Sequence, residues 1–391
     1  MPFFFRPLRC TLWCSFLIFM LACSRGEEPV PQMRAVAPIP ANPALISEAR
    51  ELFTKLSENY GKYTVAGQAE YQEQGRYVAV DYIASVSDRR PVIVGLDLID
   101  YSPSRRQFGA DPGNLIEDAI QMAKKQNMVL TLNWHWNAPM HLLNDDREPW
   151  WRAYYTNGSE FNLRYALRNT QSAEYRALLR DMDAIAVELK RLADERIPVL
   201  WRPLHSAEGG WFWWGAKGPE AFKELWRLMF VRFTDTHELN NLIWVLTNED
   251  PDWYPGDDVV DIVGVDAYPE DRSETLLENW NDLLRRHNGR KMIALTEFGG
   301  IPYVEEMHLD GVWFSYFVTW TDQNRGKLGP KNVPKEHLLR IYESPAVLTL
   351  DEWHESSKGN GTGDVPVSPE VTADGGEPEA SEPAQNQESQ P

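Results

Sequence analysis

The chain has 391 residues, 43% of them hydrophobic, and 58 acidic against 39 basic side chains give it a net charge of −19. No basic stripe is available to meet phosphates, so nucleic acid is excluded as a partner. All three cysteines (Cys10, Cys14 and Cys23) lie at the N-terminus, so disulfides cannot hold the fold together.

In chain order, Arg6 and Arg9 precede an apolar run over residues 11–22. That run is shorter than the roughly 20 residues a spanning helix needs, and it fits the core of a signal peptide. Met20-Leu21-Ala22-Cys23 resembles a bacterial lipobox, whose cysteine becomes the lipidated first residue of the mature protein. A cleaved signal peptide with a stray cysteine is the plainer alternative. The expected organisation is a lipoprotein signal peptide over 1–22, lipidation at Cys23 and a Pro/Ala/Glu-rich tether over 23–43. A folded domain over 44–351 and a disordered acidic tail over 352–391 complete it. The expected address is the outer membrane or cell surface, through the lipid anchor alone.

Within the domain, short apolar segments alternate with stretches of helical periodicity. Predicted strands are 64–66, 91–96, 129–134, 198–204, 242–246, 262–265, 292–296 and 312–318, and predicted helices include 173–193 and 220–237. Continuous apolar strands separated by helices indicate a parallel sheet buried on both faces. Eight such units point to an α/β fold, a closed (β/α)8 TIM barrel. A doubly wound sheet is the alternative, but no Gly-rich loop follows the first strand. The strands end in polar or aromatic residues: Asp97, Asn133-Trp134-His135-Trp136, His205, Thr247-Asn248, Asp266, Tyr268, Glu297 and Trp320. A barrel builds its active site on that edge. The 16 tryptophans cluster beside Gly, Asn and His, which suits sugars, whose C–H faces stack on rings while their hydroxyls seek hydrogen bonds. An isolated one such as Trp226 reads as core.

The densest stretch is Trp201-Arg202-Pro203-Leu204-His205-Ser206-Ala207-Glu208-Gly209-Gly210-Trp211-Phe212-Trp213-Trp214-Gly215. With Trp134-His135-Trp136-Asn137-Ala138-Pro139, Val263-Gly264-Val265-Asp266-Ala267-Tyr268-Pro269 and Ala294-Leu295-Thr296-Glu297, it resembles glycoside hydrolase family 26. That family is best known for retaining endo-β-1,4-mannanases, and the resemblance covers about residues 60–350. It implies that Glu297 is the nucleophile, that Tyr268 orients it and that Arg202 supports it from its strand. His205 stands beside the acid/base, Trp211 and Trp320 wall the scissile sugar, and Trp134 and His135 belong to the adjoining subsite. No cofactor and no metal are implied, and the chain is expected to be a monomer.

One position departs from that pattern. Where the family places its acid/base glutamate, after the histidine, this chain has Ser206. Retaining hydrolysis needs two carboxyls about 5–5.5 Å apart, one attacking and one protonating the leaving oxygen. A serine hydroxyl has no useful acidity near neutral pH. Glu208, two residues on, is a possible surrogate, and its plainer role is a carboxylate that anchors a loop. Three functions follow: an endo-β-mannanase of low activity, a mixed-linkage β-glucanase or β-1,3-xylanase of the same family, and a non-catalytic surface protein that binds polysaccharide.

Overall fold

The computed structural model describes residues 30–73, 75–320 and 329–356. Cys23 and nearly all of the predicted signal peptide, tether start and acidic tail lie outside these residues. Eight parallel strands close into a barrel: β1 (Gly67–Ala69), β2 (Ile93–Asp97), β3 (Val129–Asn133), β4 (Val199–Arg202), β5 (Leu242–Leu246), β6 (Ile262–Ala267), β7 (Met292–Phe298) and β8 (Phe317–Thr319). Each pairs with the next and β8 returns to β1, so the architecture is the (β/α)8 barrel and the doubly wound alternative falls away. Every residue of β5 and β7 is buried, because one face fills the barrel interior and the other lies under the helices.

Helices outside the strands include α1 (Ser47–Asn59), α2 (Ala79–Ser87), α3 (Leu115–Lys125), α4 (Ala173–Asp194), α5 (Pro219–Val231), α6 (Leu277–Arg286), α7 (Val304–Leu309) and α8 (Lys335–Tyr342). In α4, Leu178, Met182, Ile185, Leu189 and Leu192 recur at three- and four-residue spacing and are buried, while Val187 faces solvent. The Ser172 hydroxyl accepts from the Tyr175 amide at 3.0 Å and caps its first turn. Trp226 of α5 is fully buried and donates to the Val259 carbonyl at 3.0 Å.

Three expectations need correction. The segment 64–66 is not the barrel strand: Thr64–Val65 pairs instead with Val347–Leu348, and β1 begins at Gly67. A Cβ at Gly67 would run into the Phe317 carbonyl, so the β1–β8 seam closes there because the residue is glycine. The last strand starts at Phe317 rather than 312; Val312 and Phe314 are buried outside the ladder, so their apolar run signalled burial and not strand. The connection from β5 to β6 contains two 3-10 turns, Pro251–Trp253 and Asp257–Val259, in place of a helix.

Candidate active site

Glu297 sits near the C-terminal end of β7, and a bulge aims it. Along β6 and β7, Leu295 pairs with Val265 and Glu297 pairs with Asp266, so Thr296 is the extra residue on the β7 side. Bulges bend a strand and re-aim its side chains. Here the bulge sets two carboxylates side by side and turns the Thr296 hydroxyl onto Asp266 Oδ1 at 2.8 Å.

Arg202, buried at the end of β4, reaches both acids: Nη2 donates to Glu297 Oε1 and Nη1 to Asp266 Oδ2 at 3.0 Å. Burial alone would disfavour its charge, but Asp266 and Glu297 outweigh that and hold the guanidinium ionised. The Tyr268 hydroxyl donates to Glu297 Oε2, so both carboxylate oxygens of Glu297 are oriented. Nearly half of Tyr268 (47%) is exposed, yet its hydroxyl end lies against Glu297. Burial there, reinforced by the Glu297 charge, pushes the phenol well above its ordinary range, and it stays a donor.

After β4 the backbone turns sharply. Leu204 (φ 53°) and Ser206 (φ 49°) are both left-handed, which is uncommon for residues other than glycine and costs on the order of 1–3 kcal/mol each. The two turns deliver His205 and Ser206 to the cleft. The Ser206 amide donates to the Thr247 carbonyl at 3.0 Å, and its hydroxyl donates to Asp266 Oδ2 at 2.9 Å. Glu208 faces elsewhere. Its Oε1 accepts from the Glu249 amide at 3.0 Å and its Oε2 from the Asp250 amide at 2.6 Å, so it ties the loop after β4 to the loop after β5. It does not line the cleft, which favours the loop-anchoring role over that of surrogate acid/base.

His135 and His205 meet through their Nε2 atoms at 3.2 Å, and His135 Nδ1 pairs with Asp97 Oδ2. Burial, followed by the nearby Arg202 charge, pushes His205 well below the usual histidine range, so it is neutral. Its Nδ1 has no partner among the described residues. Burial works to raise the Asp97 pKa, but His135 outweighs it and holds the carboxyl below its ordinary value.

Trp134 does not reach this surface. It is 1% exposed, stacks on Trp136 at 4.2 Å and donates to the Ser102 hydroxyl at 2.9 Å. Its ring packs into the core, and His135 is the residue that enters the cleft.

Trp211, 51% exposed, and Trp320 form parts of the wall of the cleft. The loop after β3 adds Trp151, Arg152, Tyr154 and Tyr155, and Tyr155 stacks on Phe212 at 5.8 Å. Glu70 also borders the cleft, whose volume is about 920 Å³. Sequence reasoning missed Glu70 and Phe212. Glu70 falls just after the shortened first strand, and Phe212 is one aromatic among four in a run. The chemistry on offer is an oriented carboxylate in an aromatic-walled groove that Ser206 also lines.

The family model for glycosyl hydrolase family 26 matches residues 41–352. A mannan endo-1,4-beta-mannosidase of Thermothelomyces thermophilus is 42% identical over 320 residues, 81% of this chain and 64% of that protein. Mannan endo-1,4-beta-mannosidase A of Piromyces sp is 32% identical over 290 residues, 73% of this chain and 46% of that protein. The chain therefore spans about half to two thirds of the length of these curated relatives. Among solved structures, a Podospora anserina GH26-CBM35 beta-(1,4)-mannanase superposes with a TM-score of 0.76 at 38% identity, covering 84% of this chain and 71% of that one. A beta-mannanase from a symbiotic protist of the termite Reticulitermes speratus, complexed with gluco-manno-oligosaccharide, gives 0.72 at 29% identity, covering 82% and 99%. With the barrel closed, the strand-end carboxylate oriented and the match running through nearly the whole described domain, the chain belongs to glycosyl hydrolase family 26.

Proposed function

We propose that this chain is a retaining endo-β-1,4-mannanase that works with half of the usual carboxyl pair. Glu297 attacks the anomeric carbon, while Ser206 leaves protonation of the sugar oxygen slow. The observation that carries this is the Glu297 carboxylate, gripped on one oxygen by Arg202 and on the other by Tyr268 at the cleft floor. Its double orientation suits attack. A cleft near the upper end of the ~300–1,000 Å³ typical of ligand sites supports contact with several sugar rings, and so endo action. Mannan is favoured as substrate by the activities of these relatives. Loss of a general acid/base typically costs about 10²–10⁴-fold in rate, so turnover of polymer is expected to be low.

The test is hydrolysis of mannohexaose, and of 2,4-dinitrophenyl β-mannobioside with and without azide, a small anion that needs no general base to attack a glycosyl-enzyme. Slow cleavage of mannohexaose, with release of dinitrophenol from the activated substrate that azide accelerates as a β-mannobiosyl azide forms, is the expected result. Tight binding of mannohexaose with no turnover of either substrate would make the protein a polysaccharide-binding one. Faster hydrolysis of lichenan than of galactomannan would move the substrate to mixed-linkage β-glucan. A polymeric substrate is met outside the cell, which accords with export and with Cys23 as a lipid attachment site. Incorporation of labelled palmitate, lost in Cys23→Ala, is the check.

A further inference from the structure

Away from the cleft, a second pocket opens where the connection from β5 to β6, which has no helix, descends the barrel wall beside the turn between α6 and β7. Its lining includes Tyr254, Asp257, Arg286, His287, Arg290 and Lys291. Lys291 immediately precedes β7, so the pocket lies toward the N-terminal end of the strands, whereas the cleft lies at their C-terminal end. Its volume is about 170 Å³. That is well above the ~10–15 Å³ that admits one water and below the roughly 300–1,000 Å³ of pockets for whole small molecules. A single small polar group suits it.

The charges around this pocket are unbalanced. Among the described residues, the guanidinium groups of Arg286 and Arg290 have no ion-pair or hydrogen-bond partner, whereas the nearby Arg285 and Arg227 are paired with Asp282 and Asp258. Lys291 donates to the Val260 carbonyl at 2.5 Å and to the Asp257 carbonyl at 3.3 Å, and stands 3.7 Å from the Asp257 carboxylate. That carboxylate, the one acid in the lining, accepts from the Tyr254 hydroxyl at 2.6 Å. Three cations therefore meet one anion. Basic residues at a helix C-terminus often serve only to balance its exposed carbonyls. Here the carbonyls of Leu283, Leu284 and Arg285 already accept from the amides of His287, Gly289 and Asn288, and Arg290 lies beyond the helix. His287 is 7% exposed and meets Tyr254 edge-on at 4.8 Å, and its ring nitrogens have no hydrogen-bond partner among the described residues. A buried polar ring left in this way is costly unless something binds it. Burial, followed by the Arg286 charge, lowers its pKa to about 4, so the ring is neutral near pH 7 and offers one N–H.

We propose that this pocket binds a phosphate group, gripped by Arg286 and Arg290 with His287 donating from the pocket wall. Guanidinium forks match phosphate oxygens in pairs, which an isolated surface charge cannot do. The site is independent of how the cleft works. Its phosphate can come from solution or from a lipid headgroup. The N-terminal segment passes the same turn: a Cβ at Gly289 would meet the Gln32 carbonyl at 3.3 Å and Arg34 Cγ at 3.8 Å. The exposed Arg34 thus adds a cation beside the pocket. A lipid attached at Cys23, as proposed above, would hold this turn within about 30 Å of the membrane, because the nine residues from Ser24 to Gln32 span at most ~3.3–3.6 Å each. That proximity favours the headgroup.

The experiment uses the full chain carrying Cys23→Ala, so that no acyl group contributes, and compares this parent with two double variants of it. Arg286→Gln with Arg290→Gln empties the pocket of its free cations. Arg76→Gln with Arg168→Gln removes the same charge from exposed arginines elsewhere and serves as the control. All four side chains lie at the surface, and matching thermal melting curves check that the variants fold. The probes, at constant ionic strength, are inorganic phosphate in titration calorimetry and vesicles of phosphatidylcholine, with or without phosphatidylglycerol, in co-sedimentation. The expected result is a pocket variant whose Kd for phosphate, or whose partitioning to phosphatidylglycerol vesicles, is weakened about tenfold or more, with the control within about twofold of the parent. A loss confined to phosphate uptake supports the site with a soluble phosphate as its source. A loss of the preference for phosphatidylglycerol supports it with a headgroup as the source. Equal behaviour of the pocket variant and the control toward both probes overturns the proposal.

Discussion

At the scale of single residues, the site turns on what side-chain length and acidity allow. Ser206 keeps a hydrogen bond to Asp266 but has no carboxyl to present to a sugar oxygen. Installing one should restore the missing half of the pair. Ser206→Glu is expected to raise mannohexaose turnover by about 10²–10⁴-fold, with the azide acceleration of 2,4-dinitrophenyl β-mannobioside hydrolysis disappearing. Steady-state kinetics with and without azide measure both. No gain would mean that the loop between Leu204 and Ser206 no longer aims position 206 at the leaving group. Glu297 and Tyr268 were legible from sequence as strand-end residues, and their pairing came through the family resemblance. Trp134 was misplaced because sequence gives a strand-end position but not which of two adjacent rings turns inward.

At the scale of elements, the loops after β4 and β5 are held together by one side chain. Glu208 satisfies the Glu249 and Asp250 amides, and hydrogen bonds to a charged acceptor contribute about 1.5–3 kcal/mol. Glu208→Ala should lower stability by about 1–3 kcal/mol, partly offset by water reaching the freed amides. Mannohexaose turnover without azide should stay within a few-fold of wild type. Urea unfolding and mannohexaose kinetics on the same preparation separate the roles, since loss of a surrogate acid would lower turnover and leave stability nearly unchanged. The Thr296 bulge belongs to the same scale. It was invisible in sequence because an extra residue in one strand shows only when its neighbour's register is known.

For the whole molecule, buried carboxyls set how stability responds to pH. Asp181 of α4 has no solvent exposure, accepts from Trp136 Nε1 at 2.9 Å and pairs with Arg180. Burial outweighs these partners and raises its pKa from 3.8 to about 6. A carboxyl whose folded pKa lies above its unfolded value favours the folded state most below the unfolded pKa. That contribution is lost as pH rises through the folded one. Between pH 4 and 7 this group should remove about 3 kcal/mol of stability. Asp181→Asn should flatten that part of the slope in urea denaturation curves at pH 4.5 and 7.5. A slope unchanged from wild type would refute the assignment to Asp181. Asp261, also buried and also raised to about 6, acts in the same direction and should persist in the variant.

The sequence by itself determined the alternation of apolar strands with amphipathic helices, the polar strand ends and the residue types of the site. Each of these depends on local spacing, which hydrophobic periodicity reports directly. The substitution at position 206 was equally plain, being a matter of identity. Only the tertiary structure decided that Glu208 turns away, that Thr296 is the bulged residue, that Trp134 faces the core and that Asp266 stands behind Ser206. Those outcomes depend on register between strands distant in the chain and on two left-handed residues after β4, and barrel closure fixes both while residue order does not.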